Sequence, residues 1–199
     1  MKIDWFKLYK INKKFKYSRE DVSKNIKLDK PYINFLKKYV EPDSKILECG
    51  SGPARTAISM AKEGFKVTAI DNNRQMLRLG RKNTRIANVK IEFILGDFFN
   101  VKEIFKKDEF DCITHQGVLE HFNEEKIKEI ISTQIEIARY LLFSVPLKTE
   151  FNKKYFKDDI YRNLWDKEKW LRTLSSFNIL ETKNIKQRTD NLIILIKRK

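Results

Sequence analysis

The sequence predicts an α/β fold, a mostly parallel sheet with helices on both faces, and three observations carry that prediction. From residue 45 onward, short β-branched runs alternate with longer runs of helical period, and strand–helix–strand units of this kind force parallel pairing. Four of the six glycines, Gly50, Gly52, Gly96 and Gly117, fall just after predicted strands, where ligands bind in such sheets. The final two apolar runs are separated only by "QRTDN", the spacing of an antiparallel hairpin.

Taken in order, "KILECG" reads as a strand and "PARTAISMAKEG" as a helix closed by Gly64. "KVTAID" is a strand, "NRQMLRLGRKNTRIA" a helix, "KIEFILGD" and "FDCITHQG" strands. In "NEEKIKEIISTQIEIA" the residues Ile127, Ile130, Ile131, Ile135 and Ala138 recur at helical spacing, giving one buried stripe. The strand "YLLFSVP", the helix "DKEKWLRTLSSF" and the hairpin "NILETKNIK"/"LIILIKRK" complete the core. Residues 1–44 read as one or two helices capping it, with Tyr32, Phe35, Leu36 and Tyr39 on one face. The 199 residues are expected to form a single domain with a core over 45–199.

The net charge of +15 admits a polyanion partner such as RNA, but the Lys-rich, Ile- and Asn-rich mix also follows from compositional bias. Ten Lys and Arg against four acids occupy the first thirty residues. Arg74, Arg78, Arg81, Lys82 and Arg85 form a second basic cluster on one predicted helix face. Cys49 and Cys112 both lie in apolar runs, as buried thiols of a reducing compartment do. The N-terminus has no apolar core for a signal peptide, and "LIILI" and "YLLFSV" are too short to span a bilayer. The expected location is cytoplasmic, with no membrane partner; the sequence leaves the oligomeric state open.

"ILECGSGPARTA" couples a strand ending in Glu48 to Gly50, Ser51 and Gly52, then to a helix start. Such a turn lets a ligand approach the backbone and meet free N–H groups. A dinucleotide fingerprint would place a third glycine where Arg55 stands, and no Gly-Lys-Ser/Thr follows. Glu48 would repel a pyrophosphate and attract an ammonium or sulfonium. Asp71, ending the second strand, can accept from both hydroxyls of a ribose. Asp97 with Phe98, after the third, offers an acceptor for an exocyclic amine beside a ring that can cover a purine. The bland alternatives are that Asp97 caps a short helix and that Glu48 is a satisfied strand-end carboxylate. Together the residues describe S-adenosylmethionine.

The motifs "ILECGSGPA", "VTAIDNN", "ILGDFF", "FDCITHQGVLEHF" and "YLLFSVP", in this order, resemble those of the class I S-adenosylmethionine-dependent methyltransferases. The resemblance runs from about residue 45 to the C-terminus and departs at Ala54, where the family's third glycine stands. It implies a Rossmann-like seven-stranded sheet whose last strand is antiparallel. It also implies that Glu48, Gly50 and Gly52 hold the methionine end, with Ser51 in the same turn. Asp71 would hold the ribose, and Gly96, Asp97 and Phe98 the adenine. Asn72 and Met76 would line the ribose and adenine side, with His115 and Gln116 near the sulfonium.

The cofactor brings an activated methyl, so the protein has to align an acceptor and, where needed, remove a proton. His121 in "GVLEHF" is the candidate base, although the same residue could brace the loop. His115 and His121 have no convincing companion ligands for a metal. "HQGVLEHF" stands where base-modifying enzymes carry an Asn/Asp-Pro-Pro-Tyr/Phe motif, and it resembles small-molecule O-, N- and C-methyltransferases. A small-molecule acceptor is therefore expected, with 147–165 as a lid carrying Phe151, Tyr155, Phe156, Tyr161 and Trp165. The aromatic N-terminal residues Trp5, Phe6, Tyr9, Phe15 and Tyr17 are placed to close over the same pocket. Two alternatives remain: an RNA or ribosome-associated methyltransferase using the basic N-terminal region, and a cofactor-binding protein without catalysis.

Overall fold

A computed structural model describes Phe6, Lys7 and residues 17–199. Trp5, Tyr9 and Phe15, and the N-terminal lysines from Lys10 to Lys16, lie outside the described residues. The first long helix, α1 (Arg19–Leu36), starts with a reciprocal cap in which Ser18 and Asp21 satisfy each other's backbone N–H, which stabilises an otherwise open helix end. Its buried Tyr32, Phe35 and Leu36 face the sheet. The Tyr32 hydroxyl donates to the Leu142 carbonyl at 2.9 Å, anchoring α1 across the sheet.

The core alternates as expected: β1 (Lys45–Cys49), α2 (Arg55–Lys62), β2 (Lys66–Asp71), α3 (Arg74–Ala87), β3 (Glu92–Leu95), α4 (Val101–Ile104), β4 (Phe110–Gln116), α5 (Glu124–Gln134) and β5 (Ala138–Pro146). Short α6 (Glu150–Tyr155) and α7 (Lys167–Thr173) follow, then the hairpin β6 (Ile179–Lys186) and β7 (Asp190–Lys197). The seven strands lie in the order β3-β2-β1-β4-β5-β7-β6. All neighbours are parallel except β7, which runs antiparallel to β5 and β6.

One boundary differs from the sequence reading. α5 ends at Gln134, and Ala138, expected on its buried stripe, is the first residue of β5, paired with Phe110. The Ile137 N–H bonds to the Gln134 carbonyl and turns the chain; the apolar period continues because both elements feed the same core.

Alternate side chains of each central strand go to opposite faces. Ile46, Cys112 and Leu142 pack with α1 and α2; Leu47, Ile113 and Phe143 pack with α4, α5 and α7. Both thiols are buried and unbridged. No helix of the described residues is long and apolar enough to cross a membrane. The chain order reverses between β1 and β4, so a crevice opens there at the carboxyl ends of the strands, which is where open α/β sheets take their ligands.

Candidate cofactor and acceptor site

The turn after β1 is held from the neighbouring strand. The Gly50 and Ser51 N–H groups both donate to the Ile70 carbonyl, at 3.0 and 3.2 Å, and the Gly52 N–H donates to Asp71 Oδ2 at 2.8 Å. Gly50 and Gly52 have φ of +67° and +51°, conformations that cost a side-chain-bearing residue roughly 1–2 kcal/mol. A Cβ on Gly50 would lie 2.9 Å from Val118, whereas one on Gly52 would meet nothing within 4 Å among the described residues. The backbone at Gly52 is therefore bare toward open space. The Ser51 hydroxyl beside it is buried with no partner among the described residues, a group that a ligand would satisfy. Ala54, at the family's third glycine position, adopts the same left-handed conformation with φ +60°.

Asp71 also accepts from the Asn73 N–H at 2.8 Å, so its carboxylate is aimed by two backbone donors. Burial raises its pKa, and those two bonds oppose the rise. Asp97 accepts from the Phe99 N–H at 3.1 Å and from the Asn72 side chain at 3.4 Å. It thus caps the short turn Phe98–Asn100 while bridging the ends of β2 and β3. Phe98 stands near the Gly50 turn and packs edge-on against Phe99, Phe122 and His115. Met76 is buried at the start of α3, with its N–H bonded to Asn73. Gly96 serves packing, since a Cβ there would lie 2.9 Å from Ile104.

Glu48 points into the α1–α2 face and accepts from the Ala57 N–H at 3.0 Å. Burial pushes its pKa up to about 8; the buried Asp29 carboxylate of α1 adds to this and the Ala57 N–H opposes it. Asp29, which the sequence reading missed, receives the Ser59 hydroxyl at 2.8 Å. Only its i, i+3/i+4 place among buried α1 residues could have flagged it.

His115 points to the opposite face and does not line the crevice. It is fully buried, with Nε2 2.6 Å from the Gln134 amide oxygen. Burial lowers its pKa to about 4, so it stays neutral under α5 and buttresses Phe98. Gln116, one residue on, does reach a cavity of about 640 Å³ at the ends of β4 and β5, with Gly117, Glu120, His121, Ser144 and Pro146. Residues 155–162 and the β6–β7 turn at Gln187–Thr189 close its other side.

His121 bonds through Nδ1 to the Tyr161 carbonyl at 2.8 Å. A carbonyl only accepts, so Nδ1 carries the proton. Burial lowers the pKa of the ring, and Nε2 lies 3.8 Å from Glu120 Oε1. The next turn of chain is latched by the Asn163 N–H, which donates to the Glu120 carbonyl at 2.7 Å, and by the Asn163 side chain, which donates to the Phe122 carbonyl. Glu120 itself, passed over in the sequence as part of "LEH", is 4% exposed.

A second cavity, of about 680 Å³, is lined by Lys45, Lys66, Lys90 and Arg85. It lies at the amino ends of β1 and β2, away from the glycine turn, so it is not the ligand crevice.

Residues 46–141 match the family model described as "Methyltransferase domain". With that domain and its seven-stranded sheet, the chain is similar to the class I S-adenosylmethionine-dependent methyltransferases. Among curated relatives of this chain are the mitochondrial ubiquinone biosynthesis O-methyltransferase of Schizosaccharomyces pombe and the carboxy-S-adenosyl-L-methionine synthase of Nautilia profundicola. The first is 27% identical over 153 residues, 64% of this chain and 55% of that one. The second is 32% identical over 133 residues, 65% and 56% respectively. The chain spans about half the length of these two relatives. Its fold is shared with the PH0226 protein of Pyrococcus horikoshii, with TM-score 0.72, 15% identity, and 92% and 95% of the two chains covered. It is shared also with the magnesium protoporphyrin IX methyltransferase of Synechocystis, solved with bound S-adenosylhomocysteine, with TM-score 0.69, 18% identity, and 90% and 85% covered. The family uses S-adenosylmethionine as its methyl donor.

Proposed function

We propose that the chain binds S-adenosylmethionine across the carboxyl ends of β1, β2 and β3 and transfers its methyl group to a small molecule held in the cavity beyond β4 and β5. The observation that carries this reading is the bare backbone at Gly52 beside the Asp71 carboxylate. Asp71 is held by two N–H groups and sits beside open space and an unpartnered Ser51 hydroxyl. A ribose supplies two hydroxyl donors for Asp71, and a methionine end supplies polar atoms for Ser51 and a cation for Glu48. Asp97 and Phe98 are the adenine contacts in this reading, with Met76 beneath and Asn72 at the rim.

When bound, the donor supplies a methyl carbon attached to a sulfonium. The chain's own contribution is to orient both partners and exclude water. Residues 147–165 support a lid, because Tyr161 and Asn163 hold that segment over the Leu119–Phe122 turn. Likeness to a relative named a ubiquinone biosynthesis O-methyltransferase favours a small-molecule acceptor.

The test is calorimetric binding of S-adenosylmethionine and S-adenosylhomocysteine, followed by a search for S-adenosylhomocysteine formation with pooled small-molecule acceptors. Absence of cofactor binding would sink the reading. Tight binding with no product from any acceptor pool would leave only a cofactor-binding protein.

A further inference from the structure

We infer that Glu120, not His121, accepts the proton of the methyl acceptor, and that the acceptor is a hydroxyl compound, a phenol or alcohol with an apolar body. This rests on the methyl-transfer reading above and names its substrate class.

The cavity wall carries two polar groups left unsatisfied. Glu120 is 4% exposed, and among the described residues its Oε2 has no hydrogen-bond partner; the Gln116 side-chain NH₂, four residues earlier, also has none there. A buried acceptor without a partner costs about 1–3 kcal/mol, more when charged. Such groups persist where a ligand or a reaction uses them. Glu120 adjoins the cofactor turn through its own segment, since Val118 packs at Gly50 and Gly117 faces Glu120 Oε1. His121, by contrast, has committed its proton-bearing nitrogen to Tyr161 on the lid.

One missing donor and one missing acceptor call for a group offering both. A hydroxyl oxygen can give its proton toward Glu120, accept from Gln116 with one lone pair, and attack with the other. A neutral amine has a single lone pair and cannot both accept from Gln116 and attack. A thiol is a weak acceptor. Pro146, Phe156 and Ile160 supply an apolar wall for the body of the molecule.

The step balances as a displacement. The acceptor oxygen forms a bond to the methyl carbon while the carbon–sulfur bond breaks, its electron pair going to sulfur. The O–H proton passes to the Glu120 carboxylate and then to water. Glu120 titrates near the working range: burial pushes its pKa up to about 7, and the Arg162 cation opposes the rise. Among the described residues, the charged or titratable groups facing it are His121 of its own turn and Arg162, paired with Asp158, from the lid.

The experiment is transfer of tritium from methyl-labelled S-adenosylmethionine into extractable product. The probes are a broad library of phenols, alcohols, amines, thiols and carboxylic acids. Wild-type protein is expected to methylate a phenol or alcohol, with kcat rising through an acid limb near pH 7. Glu120→Gln should keep cofactor affinity, melt no lower than wild type, lower kcat about 100-fold or more and abolish that limb. Glu120→Asp should recover part of the rate and keep the limb. Turnover confined to amines, thiols or carboxylates overturns the inference, as does Glu120→Gln with wild-type kcat. Cofactor binding without turnover of any hydroxyl probe also overturns it, while leaving cofactor binding intact. Loss of cofactor binding in the wild type fails the underlying reading instead.

Discussion

The two halves of the crevice are built in different ways. At the ends of β1, β2 and β3 each acidic side chain is satisfied by backbone N–H groups. Glu48 is held by Ala57, Asp71 by Gly52 and Asn73, and Asp97 by Phe99. At the ends of β4 and β5, Glu120 Oε2 and the Gln116 side-chain NH₂ have no partner among the described residues, and the wall opposite comes from residues about forty and seventy positions further along the chain. The first half is preorganised for one ligand. The second acquires its chemistry from whatever it binds.

The strongest way to break this comparison is Asp71→Ala. It removes an acceptor of two backbone bonds as well as the proposed ribose partner. Charge-assisted hydrogen bonds contribute about 1.5–3 kcal/mol each. S-adenosylhomocysteine affinity, measured by calorimetry, should therefore fall on the order of 100-fold. Unchanged affinity would mean that the glycine turn is not the cofactor seat.

Glu48 gives the next largest effect. With a pKa near 8, it is mostly protonated at pH 7 in the ligand-free protein. A bound cation favours the ionised form, so binding should release a proton, and affinity should climb about tenfold per pH unit between pH 6 and 7.5. Calorimetry in two buffers of different ionisation enthalpy reads that release directly. Glu48→Gln should abolish it. The sign for stability follows from the same shift: the raised pKa stabilises the fold at low pH, and this is lost as pH rises toward 8. The ligand-free variant should thus melt higher than wild type at pH 8.

A smaller effect is expected at His121. Asn can present an N–H where Nδ1 does, so His121→Asn preserves the bond to Tyr161 and removes the imidazole. If the ring only holds the lid, kcat for a hydroxyl acceptor should change by about threefold; loss of a general base costs 10²–10⁴-fold. A loss in that higher range would return the base to His121 and erase the contrast with Glu120.

The same contrast explains what could be read from the sequence. The strand ends with Glu48, Asp71 and Asp97 were legible because each acid stands at the end of its strand with the turn next to it, Asp71 and Asp97 each bonding an N–H two residues on. The hairpin was legible from the shortness of "QRTDN", and the sheet followed from alternation. His115 was misplaced because residues at a strand end alternate faces, and register decides which face a side chain takes. It went to Gln134, and Gln116 to the cavity. Glu120 was invisible as a reactive group because its burial depends on Asn163, Arg162 and the lid. Asp29 was invisible because its companion Ser59 is thirty residues away.

The finest test moves charge on the lid. Arg162 is nearly buried, pairs with Asp158 at 2.7 Å and lies 4.3 Å over the Phe156 ring. Its cation lowers the Glu120 pKa, but Asp158 cancels part of its field. Arg162→Met keeps the packing on Phe156 and removes the cation, so the Glu120 pKa should rise. The acid limb of kcat should then move to higher pH by on the order of half a unit. Asp158→Asn leaves Arg162 uncompensated and should move the limb the other way by a similar or smaller amount. Opposite shifts from these two variants, both absent in the Glu120→Gln background, would tie the pH dependence to Glu120. Shifts of the same sign would mean that the lid acts by opening, because loosening by either change admits water alike.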